Sequence, residues 1–318
     1  MAINSMINKS LRFLKNPNKY ITVRRELFLK YRSQLFTKLF PFSFLDDKYY
    51  LEFIFYNSMH RKLDFKNPQS LNEKLNWMKL YDRHPIYQQL SNKFLCREYV
   101  RYKIGDKFLK PLIAVYDDPD KIEWSILPEK FVLKVTHGCG WNIICSDKRK
   151  IDINNAISKL YDWLGQDYYE LTREWQYKNI TPKIFIEPLF EGNSELGLIE
   201  YQFYCFDGIN QFIQVDIDCN RNHSRLFLSP DWEELPFTIV RYPTHKPIIP
   251  RPEMLDNIQS IVKVLTEDLP FCRVDLHIFN DDVYISEMTI MPGGGFMRFN
   301  PPEYDFHFGE LLNLRKVY

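Results

Sequence analysis

The stretch FCRVDLHIFNDDVYISEMTIMPGGGF, residues 271–296, restricts the fold more than any other part of the chain. Two runs rich in β-branched and apolar residues, 273–279 and 283–289, flank the turn-forming Asn280-Asp281-Asp282 and predict a β-hairpin. With a three-residue loop centred on Asp281, antiparallel pairing sets Phe279 against Val283, His277 against Ile285, Asp275 against Glu287 and Arg273 against Thr289. All lie on one face, because strand side chains alternate. Directly opposed side chains have Cβ atoms about 5 Å apart, and like charges so placed repel. A cation beside the two carboxylates relieves this, and hard oxygen ligands on a rigid hairpin suit Mg2+. Taken alone, the hairpin reads more simply as an exposed turn with two solvated acids, and a one-residue change of register separates them.

A second stretch, FVLKVTHGCGWNIICSD at 131–147, has two apolar strand segments around His137-Gly138-Cys139-Gly140-Trp141. Glycines there allow positive φ and close approach of backbone N–H groups to a ligand, which together make an anion nest. Lys134 on the strand leading in reaches the same region, although a plain hairpin turn beside a solvated lysine also fits. Glycine usage tilts the balance. The chain has only 11 glycines, and five of them (Gly138, Gly140, Gly293, Gly294, Gly295) fall in these two loops. A lysine with a glycine hairpin and a carboxylate pair on another hairpin read together as a phosphate grip and a metal grip, with a nucleoside triphosphate and Mg2+ as the economical ligand.

The bulk properties bound this reading. A chain of 318 residues with 45% hydrophobic and 16% aromatic content builds a sizeable packed core, in two or three units. The sequence shows no apolar stretch of membrane-spanning length and no signal-peptide core. The six cysteines have no metal-binding spacing and read as reduced thiols of a cytoplasmic protein. The net charge of +1 hides an asymmetry: residues 1–40 hold nine Lys and Arg against the single acid Glu26, leaving 33 basic against 40 acidic residues elsewhere. Leu27, Tyr31, Leu35 and Leu39 repeat there at helical spacing, so this arm is either a helix packed on the body or a peripheral contact with the inner face of a membrane. No nucleic-acid motif accompanies the charge.

Along the chain, Ser70 followed by Glu73 is a capping-box start for a helix over LNEKLNWMKLYD, and a second helix is expected from Pro85 to Tyr102. Strands are expected at 108–116, 131–147, 183–190 and on both sides of an Asp207-Gly208 turn within 199–218, with helices over 153–169 and 252–268. Hairpins mixed with helices, without regular βαβ units, give an α+β (mixed α/β) class.

The order Lys93, Lys134 with its glycine loop, FIEPL, RVD and EMTIMPGGG resembles an ATP-grasp enzyme. NPQSLNEKLNWMKLYDR, FVLKVTHGCGWNIIC, EWQYKNITPKIFIE and the tail NPPEYDFHFGELL make the likeness closest to the TupA-like branch, associated with teichuronopeptide and other surface-polysaccharide synthesis. The resemblance spans roughly 60–318. It implies an ATP-grasp fold in which two α+β subdomains grip ATP: a basic helical extension over 1–60, a pre-grasp region over 61–126, and a core over 127–318. Within the core, the lid covers about 127–187 and the metal- and substrate-binding part about 188–318.

The resemblance also implies roles. Lys93 and Lys134 stand where two lysines hold the α- and β-phosphates, with the loop from His137 through Gly138 and Gly140 to Trp141 as a lid over them. Glu187 sits at the hinge that meets the adenine, and Glu200 at the ribose. Arg273 touches the transferred phosphate, and Asp275 and Glu287 bind the metal. Thr289 stands where many relatives have a metal-binding asparagine. Gly293, Gly294 and Gly295 present the substrate.

The implied chemistry is an ATP- and Mg2+-dependent amide ligation through an acylphosphate. It joins a uronic acid of a surface polysaccharide or its precursor to an amino acid or small amino alcohol. Arg221, His223 and Arg225 form a basic cluster suited to an anionic substrate or to a solvated loop, and His137 is either a general base or a lid residue under Trp141. Two other readings remain at this stage: a glycosyltransferase using Asp216-x-Asp218, and a small-molecule kinase.

Overall fold

The computed structural model describes residues 46–192, 197–217, 224–239 and 249–315. The basic arm at 1–40, together with Asp218, Arg221 and His223, lies outside the described residues, and the extension expected over 1–60 is described only from residue 46.

The described chain opens with four helices: α1 (Asp47–Met59), α2 (Leu71–Tyr81), α3 (Pro85–Ser91) and α4 (Lys93–Ile104). The expected capping box starts α2: the Ser70 hydroxyl accepts from the Glu73 amide at 3.2 Å, and the Glu73 carboxylate accepts from the Ser70 amide at 3.1 Å. The single helix expected from Pro85 to Tyr102 is two. It breaks at Asn92, whose backbone is extended and whose side chain accepts from the amides of Phe94 (3.0 Å) and Leu95 (3.2 Å). An asparagine in a cap satisfies amides that a helix start leaves without partners. This break makes Lys93 the first residue of α4, where its amide donates to the Thr136 carbonyl at 3.2 Å.

The first sheet contains β1 (Ala114–Tyr116), β2 (Phe131–Val135), β3 (Asn142–Cys145) and β4 (Ile184–Pro188), in the order β1-β4-β2-β3 and antiparallel throughout. The strand expected over 108–116 shrinks to its last three residues, because Pro111 has no amide to donate to a ladder. In β2, Phe131, Leu133 and Val135 are fully buried against helix α5 (Ile153–Leu164) and the inward residues of β4, while Val132 and Lys134 alternate to the other face. A short helix α6 (Tyr168–Thr172) leads from this layer to β4.

The second sheet holds β5 (Ile199–Phe206), β6 (Ile209–Ile217), β7 (Ser224–Leu228), β9 (Phe271–Phe279) and β10 (Asp282–Thr289), in the order β10-β9-β5-β6-β7 and again antiparallel. The Asp207-Gly208 turn between β5 and β6 has positive φ at both residues (45° and 78°), the conformation that favours this dipeptide in a hairpin. One face, carrying Phe203, Val215, Val274 and Leu276, is buried together with helix α7 (Leu255–Thr266) and α4 in the main core. A short pairing of β8 (Thr238–Ile239) with β11 (Phe299–Asn300), and the final helix α8 (Glu303–Leu311), complete an α+β architecture of two antiparallel sheets with helices.

We expect Asn92→Ala to lower unfolding stability in urea by about 1 kcal/mol, the usual worth of such a cap, while Asn92→Asp, which keeps the acceptor, stays close to wild type.

Candidate active site

The hairpin delivers its facing acids by a different route from the expected one. Asn280 and Asp281 both have positive φ (51° and 63°), so the turn has two residues, not three, and pairs Asp282 with Phe279, Val283 with Ile278 and Tyr284 with His277. The expected pairs Phe279–Val283 and His277–Ile285 are therefore absent. A bulge between Ile285 and Glu287 then inserts one residue, and the ladder resumes with Asp275 opposite Glu287 and Arg273 opposite Thr289, as expected. The bulge restores the register that the shorter turn had shifted.

These residues form a charged row. Arg273 grips Asp275 in a bidentate pair, with Nε to Oδ1 and Nη2 to Oδ2 both 2.6 Å, and its Nη2 also lies 3.3 Å from the Thr289 hydroxyl. Burial pushes the Asp275 carboxyl up and Arg273 opposes it; the two-oxygen contact is the geometry of an ionised carboxylate with a guanidinium. Burial also acts on Glu287, but Lys93, Arg273 and Lys134 outweigh it and hold that carboxyl below its usual range. Glu287 is the more open of the two, at 25% side-chain exposure against 4% for Asp275. Two carboxylates, one open, fit Mg2+, which keeps most of its positions for phosphate oxygens and water. Among the described residues no group of three or more His, Cys, Asp or Glu forms a closed metal site.

The glycine hairpin of the first sheet stands over Lys93. The Lys93 ammonium donates to the Gly138 carbonyl and lies 3.5 Å from Glu287 Oε1. A Cβ at Gly138 would come within 2.3 Å of the Trp141 ring, so only glycine lets that ring close under the loop. Gly140 takes φ +72°. Trp141 packs edge-on against His137 and Tyr168, with centroids 5.2 and 5.4 Å apart. His137 is buried, its Nε2 is 3.0 Å from the Trp163 carbonyl, and burial lowers its pKa. Its ring packs against Trp141 and is not among the residues that line the cleft.

On β4, Glu187 is contacted by two cations and lies near a third, Lys110. Lys134 reaches its Oε2 at 2.8 Å and Arg97 its Oε1 at 2.7 Å, while Arg97 also donates to the Lys110 carbonyl at 2.6 Å. Burial would raise the Glu187 carboxyl, yet Lys134, Lys110 and Arg97 together hold it below its usual range. Burial and Lys134 push the Lys110 ammonium down to about 8, and burial with Lys110 pulls His277 down to about 3. Burial raises Glu200, which accepts from Gln202 at 2.8 Å. A cleft of about 270 Å³ between the sheets brings together Lys93, Lys134, Gly140, Trp141, Glu187, Glu200 and Glu287, with Val132, Ile144 and Leu198 as apolar walls. Lys110, His277 and Phe190 line it too and were not singled out in the sequence.

The loop of Gly293, Gly294 and Gly295, all at φ between 59° and 70°, is held by α2. Asn72 bonds both the amide (2.7 Å) and the carbonyl (2.8 Å) of Met297, Asn76 donates to the Gly295 carbonyl (2.8 Å), and Lys79 to the Gly294 carbonyl (2.6 Å). Sequence reasoning missed these three. The available signal was polar residues at i, i+4 and i+7 inside a helix whose neighbouring positions are apolar.

On β6 and β7, Arg225 grips Asp216 with Nε–Oδ1 and Nη2–Oδ2 both at 2.6 Å, and Gln214 donates to Asp216 at 3.0 Å. Asp216 is 2% exposed and held in this internal ion pair.

The family described as TupA-like ATPgrasp matches residues 73–313. No curated protein matches the chain. Among solved structures, D-alanine–D-alanine ligase from Bacillus anthracis complexed with ATP is 16% identical, covering 64% of this chain and 55% of that one, with a TM-score of 0.40. D-alanine–D-alanine ligase from Helicobacter pylori is 15% identical over 72% of this chain and 60% of its own, with a TM-score of 0.38. D-cycloserine synthetase DcsG is 15% identical over 65% and 64%, with a TM-score of 0.39. The chain thus spans 55–64% of the length of these three structures.

Arg97→Met leaves a buried carboxylate and the Lys110 carbonyl without their shared donor. We expect it to cost about 3 kcal/mol in urea unfolding, the range for breaking one side of a buried pair. Arg97→Lys should not restore it, because one ammonium cannot copy the planar fork that reaches both acceptors.

Proposed function

The chain belongs to the TupA-like ATP-grasp family, and on that premise we propose that it is an ATP-dependent carboxylate–amine ligase working through an acylphosphate. The observation that carries this reading is the single cleft onto which two lysines, the glycine lid, the hinge acid and an open carboxylate of the hairpin all converge.

In this reading Lys93 and Lys134 hold the phosphates of ATP, with Gly138, Gly140 and Trp141 forming the lid above them. Glu187 positions the adenine end and Glu200 the ribose. Asp275 and Glu287 hold Mg2+, with Thr289 beside them, and the ion supplies charge neutralisation along the phosphates. Arg273, already fixed by Asp275, stabilises the charge on the phosphoryl group in transfer; phosphoryl transfer needs positioned cations more than a covalent nucleophile. The amides of Gly293–Gly295 offer donors to the tetrahedral intermediate, and lid closure keeps water from the acylphosphate. His137 serves by packing under Trp141. We assign the first sheet with α5 to the lid and the second sheet to the metal and substrate side.

The substrate classes are those the family resemblance implies: a uronic acid of a surface polysaccharide or its precursor, and an amino acid or small amino alcohol. Arg225, through its pair with Asp216, shapes the substrate side. We place the reaction in the cytoplasm, with a peripheral membrane contact assigned to the basic arm at residues 1–40; no helix among the described residues is long and apolar enough to cross a membrane.

Two measurements check this. Mg2+-ADP at a hundred times its dissociation constant should stabilise the protein by about 2.7 kcal/mol, Glu287→Gln should abolish the shift, and uridine diphosphate with Mn2+ should give none. Stabilisation by the uridine nucleotide alone would replace the ligase reading with a transferase. Proton uptake is the second measurement. A bound polyphosphate raises the pKa of a neighbouring ammonium, so nucleotide binding near pH 8 should take up protons at Lys110. The uptake should vanish under mildly acidic conditions, where Lys110 is already protonated, and in Lys110→Met. Calorimetry in two buffers of different ionisation enthalpy reads it directly.

A further inference from the structure

Glu174 is a buried carboxylate that the chemistry above leaves without a role. It precedes a single 3-10 turn, Trp175–Tyr177, and is 6% exposed. Its Oε2 accepts from Gln176 Nε2 at 3.0 Å, and its amide donates to the Thr172 hydroxyl at 3.2 Å. Its Oε1 lies 3.5 Å from the point where a Cβ on Gly294 would stand. The carboxylate therefore meets the substrate loop at a residue without a side chain, and the neighbouring Gly293 is exposed.

The titratable groups around Glu174 come from every side of the proposed reacting centre. Lys79 from α2 sits on the Gly294 and Thr172 carbonyls (2.6 and 3.5 Å). Glu287 from the metal hairpin, Tyr177 and the lid residue Cys139 are all within its electrostatic reach. Burial, with a further push from Glu287, raises the Glu174 carboxyl to about 7 against the pull of Lys79. A group poised near neutrality is suited to taking a proton.

Charge complementarity selects the ligand. Lys93, Lys134 and Arg273 suit polyphosphate and a carboxylate being phosphorylated. A carboxylate beside Gly294 repels both of those and suits an ammonium group; Lys79 already stands there as one such cation, donating to the Gly294 carbonyl.

We propose that Glu174 receives the incoming amine at the Gly293–Gly295 loop and removes its proton. This inference rests on the ligase reading. The ammonium gives one proton to the Glu174 carboxylate, and the freed nitrogen lone pair forms the C–N bond to the acyl carbon of the acylphosphate. The acyl C–O bond to phosphate breaks, phosphate leaves with that electron pair, and it takes the second nitrogen proton.

The test compares wild type with Glu174→Gln for ADP release from Mg2+-ATP at near-neutral pH. Glucuronate, galacturonate and their uridine-diphosphate-linked forms serve as carboxylates. The nucleophile is either hydroxylamine, which is already unprotonated, or one of ethanolamine, L-alanine, L-glutamate and L-lysine, which carry an ammonium. We expect Glu174→Gln to keep its thermal shift with Mg2+-ADP and its hydroxylamine reaction close to wild type, and to lose the ammonium-bearing reactions by about a hundredfold or more. Equal loss with both kinds of nucleophile would make Glu174 a structural residue and overturn the proposal, as would an undiminished reaction with the amines. Wild-type reaction with hydroxylamine but with none of the amines would also overturn it. A wild type that releases no ADP with any nucleophile, while still stabilised by Mg2+-ADP, would fail at the ligase reading itself and take this inference with it.

Discussion

Lys93 is the side chain on which the two halves of the site meet. Its amide is tied to the Thr136 carbonyl and its ammonium to the Gly138 carbonyl, so it holds the base and the tip of the lid hairpin at once, while Glu287 of the metal hairpin stands 3.5 Å away. A lysine in the first turn of a helix opposes the helix dipole, at a cost of about 0.3–1 kcal/mol. Helix propensity therefore does not explain it. The lid carbonyl and the hairpin carboxylate offset that cost, and both depend on Asn92 breaking what would otherwise be one continuous helix.

The same dependence on local breaks explains what the sequence could and could not disclose. The alternation of 271–289 is enough to place Asp275 and Glu287 face to face, yet it gives the right pair through the wrong turn. A two-residue turn alone would have carried every later pair one position off, and the inserted residue before Glu287 undoes this. Bulges leave little trace in hydrophobic periodicity, because a single extra residue next to apolar neighbours looks like ordinary strand. The capping box of α2, the Asp207-Gly208 turn and the glycine hairpin were legible because each is specified by residues within a few positions of one another.

Arg97, Lys110 and the α2 residues Asn72, Asn76 and Lys79 were not legible, and the reason is distance along the chain. Arg97 meets Glu187 across 90 positions, and Asn72 meets Met297 across 225. No local pattern separates an arginine that salts a helix surface from one that bridges a hinge acid and a backbone carbonyl. What decides is desolvation. Once buried, such a group must find all its partners, and the partners come from whichever element the fold brings near.

That requirement shapes the cleft as a whole. Lys93, Lys110, Lys134, Arg97 and Arg273 crowd the region between the two sheets; Lys93, Lys134, Arg97 and Arg273 are each matched by a carboxylate or a carbonyl, while the Lys110 ammonium lies 4.7 Å from the centroid of the Phe190 ring. Glu187 lies among three of them, and Asp275 neutralises the fourth so that Arg273 points in a fixed direction. Such prior pairing lets a dense set of cations exist before any polyphosphate arrives, and their positions then need little rearrangement when it does. Glu174 and Lys79 repeat the device beside the Gly293–Gly295 loop: the lysine donates to the Gly294 and Thr172 carbonyls and opposes the burial of the Glu174 carboxyl, which itself accepts from Gln176.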